Sequence, residues 1–159
     1  MKRITLALTA TITTMFGATA AHAANCQLPT NANALASEIA TSVNSHRRAN
    51  GQPPLVYNPQ LGQAAMNHAC DMSQNGFFGH RGSDGSNSQA RVRQVGYRDC
   101  IVAENLAWGY PQAQQIISGW MNSPGHRTNM LHPRIAEMGV GITQGPRGPN
   151  WVLVVARGC

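Results

Sequence analysis

The sequence predicts an α+β fold in which a β-sheet lies between helices, and three observations support this prediction. Helix-type patterns occupy much of the chain, whereas the clearest strand-type patterns are concentrated at its end. The segment WVLVVA, residues 151–156, is apolar at every position, which is typical of a strand that is covered on both faces. A strand of this kind near the end of a largely helical chain needs helices on both sides of its sheet.

Three segments have the spacing of amphipathic helices. Leu35, Ile39 and Val43 recur every four residues within 31–50, which predicts one helix that ends before Gly51. A second helix is predicted for 58–74, with an Asn-Pro pair at its start and an Asn-Gly pair at its end. A third is predicted around 113–121 and ends at the Ser-Pro-Gly sequence of 123–125.

The remaining segments are shorter. Residues 89–95 predict a short helix, and the Gly- and Ser-rich sequence before it, GFFGHRGSDGSNSQ, predicts a loop. Residues 100–107, 137–143 and 151–156 are predicted to be extended.

The first 23 residues are predicted to be a signal peptide. Lys2 and Arg3 precede an apolar run over 6–20, and Ala21-His22-Ala23 matches a cleavage site. Residues 24–159 then form one predicted domain with no transmembrane segment, which we expect to be secreted or periplasmic.

The four cysteines agree with export. Cys26, Cys70, Cys100 and Cys159 form an even set without a C-x-x-C pair, so two disulfides are expected in an oxidising compartment. The sequence leaves three pairings open. The preferred one is Cys70–Cys100 with Cys26–Cys159, which would tie the two ends of the domain together.

The charge pattern argues against nucleic-acid binding. The chain has a formal net charge of +6, but its arginines are scattered and form no dense basic run with interleaved aromatic residues.

Two histidines and one glutamate are candidates for a functional site. His80 and His126 lie in Gly-containing segments, whereas His46, His68 and His132 have ordinary explanations in helices and turns. If 126–131 is helical, its N-terminal dipole favours neutral His126. Glu104 lies in the apolar sequence AENLAW and needs a partner there. These residues form either a metal or base site or a hydrogen-bonded brace between loops.

Several motifs in order resemble those of the CAP superfamily, also called the SCP/PR-1-like or cysteine-rich secretory protein family. They are GFFGHRGSDG, AENLAWG, WMNSPGHRTNML and EMGVGI, and the resemblance covers roughly residues 38–157 in the form of the bacterial branch. It implies a three-layer α-β-α sandwich with an antiparallel sheet and an open cleft. In the cleft, His80 and His126 would be metal ligands and Glu104 would be the accompanying acid, with zinc or another divalent cation as the cofactor.

The sequence departs from the family pattern at one acid. Ser123 occupies the position of a further glutamate that precedes the second histidine in eukaryotic members. Glu137 is a candidate replacement because it would share a strand face with Gly139 and Gly141, which leave room above the sheet. The alternative is a carboxylate at the strand end that faces solvent.

The expected function is a secreted binding module with a cation and a small or lipid ligand in the cleft, acting at the cell envelope or on a host. A metal-dependent hydrolase is one alternative, since a metal with an open position activates water, but no G-x-S-x-G motif is present. The other alternative is a structural or adhesive envelope module in which the histidines and Glu104 only brace loops.

Overall fold

The computed structural model describes residues 26–159, so the signal peptide predicted for residues 1–23 lies outside the described residues. Within these residues, five helices and four strands follow one another in this order: α1 (Ala32–Ala49), β1 (Val56–Tyr57), α2 (Pro59–Asn75), α3 (Ser88–Gln94), β2 (Asp99–Trp108), α4 (Ala113–Asn122), α5 (Pro124–Leu131), β3 (Glu137–Gly145) and β4 (Gly148–Gly158). The predicted extent of the domain, residues 24–159, stays a prediction.

The strands form one mixed sheet in the order β1-β3-β4-β2. The three long strands are antiparallel neighbours, as expected, whereas the two-residue strand β1 pairs in parallel with the start of β3. Strand β1 was not predicted because two exposed residues, Val56 and Tyr57, carry no periodicity.

The sheet lies between two helical layers, which confirms the predicted α-β-α sandwich. Trp151, Leu153 and Val155 of β4 are buried in one cluster with residues of α1, α4 and α5. Val152, Val154 and Ala156 are buried in a second cluster with residues of α2 and α3. The alternation follows from the two-residue period of a strand, and it explains why all six positions are apolar.

Local sequence signals set the ends of α2. The side chain of Asn58 accepts hydrogen bonds from the backbone N–H groups of Gln60 and Leu61, 2.9 and 3.3 Å away, and so caps the helix. Gly76 follows the last turn with a φ of 67°, a left-handed conformation that glycine adopts without a steric penalty.

Helix α2 packs unusually close to β3, and two glycines permit this. A Cβ on Gly139 would lie 2.1 Å from the backbone nitrogen of Gly62, and a Cβ on Gly141 would lie 2.3 Å from the carbonyl carbon of Ala65. The expectation that these glycines leave room for the Glu137 side chain was wrong, because the backbone of α2 fills that space.

Two disulfides are present, as expected, but the preferred pairing was wrong. Cys26 bonds to Cys70 of α2, and Cys100 bonds to Cys159, with Cα–Cα distances of 5.4 and 5.0 Å. The antiparallel register of β2 and β4 places Asp99 opposite Gly158, so Cys100 and Cys159 become neighbours. The sheet order that decides this pairing was not available from the cysteine spacing.

The disulfides suggest a secreted protein, since such bonds persist in oxidising compartments. Within residues 26–159, none of the helices combines the length and apolar character needed to cross a membrane.

Candidate functional site

The candidate site lies along β2, which is an edge strand of the sheet. Consecutive residues of a strand point to opposite faces, so Glu104 contacts residues from the α2–α3 side whereas Asn105 contacts α5. Residues from both helical layers therefore contact the same part of β2.

Glu104 is buried and takes part in a hydrogen-bonded network. Its Oε2 atom accepts a hydrogen bond from Nη2 of Arg91 at 2.7 Å, and its Oε1 atom lies 2.9 Å from Nδ1 of His80. The Glu104 and Arg91 side chains are only 2% and 7% exposed, so the pair is shielded from water. The partner that the sequence required for this carboxylate is therefore Arg91 together with His80.

One ring nitrogen of His80 is held by Glu104. Because the Glu104 carboxylate accepts from Nδ1, that nitrogen carries the proton and Nε2 keeps its lone pair in the neutral ring. The side chain is 62% exposed. The hydrogen bond to Glu104 raises the pKa of His80, and partial burial opposes this effect.

His126 lies in the first turn of α5, beside Ser123, which precedes that helix. Burial lowers the pKa of His126, and the charge of His80 lowers it further. The direction agrees with the expectation of a neutral imidazole, and burial is its main cause.

His80 and His126 supply two candidate imidazole ligands for a cation, and a third protein ligand is not in place in the described part of the chain. Among residues 26–159, no group of three or more His, Cys, Asp or Glu side chains is arranged to hold a metal ion. Both Glu104 oxygens already bind protein groups, which places this carboxylate behind His80 as its orienting partner.

Side chains of α4 and α5 bind the backbone carbonyls of β2 and position His126. Asn129 donates to the Glu104 carbonyl and to Oδ1 of Asn105, and Asn105 in turn donates to the carbonyl of His126 at 3.0 Å. Trp120 donates to the Leu106 carbonyl at 3.0 Å. These bonds pair an otherwise open strand edge and fix α5 against it.

An aromatic groove of about 350 Å³ adjoins His126. Three partly exposed aromatic residues line it, and the ring centroids of two of them, Phe78 and Trp108, are 5.6 Å apart. The guanidinium carbon of Arg147 lies 4.0 Å from the Trp108 ring centroid, in the range of a cation–π contact. The complete lining is Phe78, Leu106, Ala107, Trp108, Tyr110, Gln115, Ile116, Gly119, Trp120, Ser123 and His126.

The two additional candidate residues occupy different places. Ser123 lines the aromatic groove together with His126. Glu137 begins β3 and accepts hydrogen bonds from Asn58, at 2.7 Å, and from the Tyr97 hydroxyl. Its carboxylate thus braces α2 and the segment before β2, and the structure does not bring it to His80 and Glu104.

Two residues of the network, His68 and Arg91, were not identified from the sequence. His68 is fully buried, and its Nε2 lies 2.9 Å from the carbonyl oxygen of Gly79. Arg91 also donates to the carbonyls of His80 and Ser86. A signal was present for His68, because it shares the helix face of Leu61, Ala65 and Met72 and is the polar member of that apolar stripe.

We expect His68 to make the folded chain sensitive to acid. Burial lowers the pKa of His68 below its ordinary value of 6.5, although Glu104 opposes this shift. The folded chain therefore binds this proton more weakly than the unfolded chain. The stability contribution is complete above about pH 6.5 and is lost as the pH falls toward the folded-state pKa.

The measurement is the free energy of unfolding, from urea titrations, of the wild type and of a His68→Gln variant between pH 8 and pH 5. We expect the wild type to lose stability relative to the variant below about pH 6.5, by at most about 1.4 kcal/mol per pH unit. Parallel curves over this range would contradict the expectation, since His80 and His126 are present in both proteins.

Comparison with known proteins supports one family. The model of the cysteine-rich secretory protein family, CAP, matches residues 40–156. The uncharacterized protein YkwD of Bacillus subtilis is 27% identical over 116 residues, which are 73% of this chain and 45% of YkwD. This chain spans less than half the length of the curated relatives it matches.

Solved structures give the same result. An extracellular SCP-domain protein from Bacillus anthracis is similar with a TM-score of 0.72 and 25% identity, over 79% of this chain and 41% of that one. NaASP2, solved with Zn²⁺, shares the fold with a TM-score of 0.55 and 15% identity, over 80% of each chain. The match over most of the sequence and the shared sandwich show that this chain belongs to the cysteine-rich secretory protein family.

Proposed function

We propose that this chain is a secreted binding domain that holds a divalent cation between His80 and His126 and accepts an apolar ligand in the adjoining aromatic groove. The observation that carries the proposal is the state of His80. Its Nδ1 is held by a buried carboxylate, while its Nε2 belongs to a largely exposed side chain, and the charge of this ring lowers the pKa of His126.

The donor chemistry of the two imidazoles fits a cation. A carboxylate that accepts from the far nitrogen of a histidine fixes the tautomer and orientation that metal ligation requires. Burial lowers the pKa of His126, which favours the neutral ring that can act as a ligand. A cation bound here would supply a Lewis-acidic centre with positions left for a ligand atom.

Zinc is the first ion to test. Imidazole is a common zinc ligand. NaASP2, which has a similar fold, was solved with Zn²⁺. Catalytic zinc sites have three protein ligands, whereas this site would have two. We therefore expect the cation to bind reversibly rather than to occupy the site permanently.

The groove supplies the second part of the proposal. Its lining is largely aromatic and aliphatic, and Gln115, Ser123 and His126 are the polar exceptions. Pockets with mainly apolar walls and a few polar groups are typical of small-molecule and lipid sites. Because His126 lies on the groove wall, a cation bound to it would lie beside a molecule that enters the groove.

Binding is favoured over hydrolysis by the contacts of Glu104. This carboxylate is the acid nearest to His80, but both its oxygens accept hydrogen bonds and its side chain is 2% exposed. A general base must reach a water molecule or substrate proton, and Glu104 would have to leave a buried ion pair to do so.

The test is a zinc titration of metal-free protein by isothermal calorimetry at pH 7.5. We expect one site per chain, lost in His80→Ala and in His126→Ala and retained in His46→Ala, a matched control on α1. Absence of zinc binding in the wild type, or equal binding in all variants, would overturn the cation site. The network would then act only as a brace between loops.

A further inference from the structure

We propose that His68 is a positioning residue that sets the orientation of His80 by holding the peptide group before it. The effect of His68 on the orientation of His80 depends only on contacts within the metal-free chain. Its consequence for cation affinity rests on the proposed function.

The environment of His68 is not explained by packing alone. The residue is fully buried in the apolar face of α2, and its Nδ1 atom has no hydrogen-bond partner among the described residues. A buried nitrogen without a partner loses its hydrogen bond to water and gains none, so an apolar side chain would fit this helix face at lower cost. A polar residue retained at such a place needs a compensating role.

The hydrogen bond of His68 identifies that role. Its Nε2 donates to the carbonyl of Gly79, which belongs to the peptide group that connects Gly79 to His80. Because a peptide group is planar, fixing this carbonyl also fixes the direction in which the backbone enters His80. Arg91 holds the carbonyl of His80 at 3.1 Å, so the peptide groups on both sides of His80 are anchored to buried side chains.

Direct contact between His68 and Glu104 does not account for the effect. His68 Nε2 lies 3.9 Å from Oε1 of Glu104, which is beyond hydrogen-bond distance. The His80 ring reaches the same oxygen at 2.9 Å. His68 therefore acts through the backbone of Gly79, and His80 remains the residue that contacts the carboxylate.

The experiment compares His68→Leu and His68→Gln with the wild type. The glutamine amide can replace Nε2 as the donor to Gly79, whereas leucine removes the donor and keeps an apolar side chain. The first readout is the ¹⁵N spectrum of the His80 ring in the metal-free chain at pH 9, which reports whether Nδ1 or Nε2 carries the proton.

We expect the wild type and His68→Gln to keep the proton on Nδ1, and His68→Leu to shift toward the Nε2–H form that predominates in free imidazole side chains. Zinc affinity, the second readout, should fall about tenfold in His68→Leu and recover in His68→Gln, as for other residues that orient a ligand. His46→Gln is the control and should match the wild type in both readouts.

The outcomes separate the two proposals. A folded His68→Leu variant with the wild-type His80 spectrum would overturn the positioning role. If the leucine variant does not fold, His68→Gln decides alone, since loss of the Nδ1–H form there would also overturn it. Absence of zinc binding in the wild type would defeat the cation site only, because the spectrum is recorded without metal.

Discussion

Replacing Glu104 with glutamine is expected to lower the free energy of unfolding by about 3–5 kcal/mol, because the change leaves the buried Arg91 cation without its counter-charge. Arg91 would keep its hydrogen bonds to the carbonyls of His80 and Ser86, but these neutral acceptors do not offset a buried charge. The measurement is urea unfolding at pH 7.5 and 25 °C, followed by tryptophan fluorescence.

The matched control is Glu38→Gln, which makes the same chemical change at an exposed position of α1. We expect it to change the free energy of unfolding by less than about 0.5 kcal/mol. Adding Arg91→Met to Glu104→Gln should recover part of the loss, because it removes the unpaired cation. A loss of less than 1 kcal/mol in Glu104→Gln would show that water reaches the pair.

Removing the Cys100–Cys159 bond with paired serine substitutions is expected to cost about 4 kcal/mol. This value follows from the chain-entropy model for a sequence separation of 59 residues. The bond also closes β2 onto the end of β4, so we expect the edge strand that carries Glu104 to fray first. Chemical unfolding of the non-reduced variant measures the loss.

Thiol titration under denaturing, non-reducing conditions checks the pairing at the same time. The Cys100→Ser, Cys159→Ser variant should contain no free thiol, since Cys26 and Cys70 remain bonded to each other. Two free thiols would instead indicate that the native partners of Cys26 and Cys70 had been removed. A stability loss below 1 kcal/mol would contradict the entropic estimate.

Much of the local structure could be predicted because its causes are close in sequence. The cap at Asn58 depends on residues two and three positions later, and the end of α2 depends on the left-handed backbone of Gly76. The predicted helix over 31–50 corresponds to α1 because Leu35, Ile39 and Val43 form one buried face. For the same reason, the two-faced apolar pattern of β4 predicted the sandwich.

The candidate site was predictable only in part. His80 and Glu104 were selected by residue type and setting, and the structure places them in contact. Arg91 and His68 complete the network but come from different helices, and nothing in the spacing of these four residues along the chain indicates that they meet. The space above Gly139 and Gly141 was expected to hold the Glu137 side chain, but the backbone of α2 fills it. The sequence does not show which helix packs on this part of the sheet.

The sequence by itself determined the family, the main helices and long strands, and the residue types available for a site, because periodicity, caps and motifs act over a few positions. Only the tertiary structure decided the disulfide partners, the parallel pairing of β1 and the engagement of both Glu104 oxygens. The physical reason is that these contacts depend on the order of strands in the sheet and on which helix covers each face. That order is set by the packing of the whole core, which no short segment specifies.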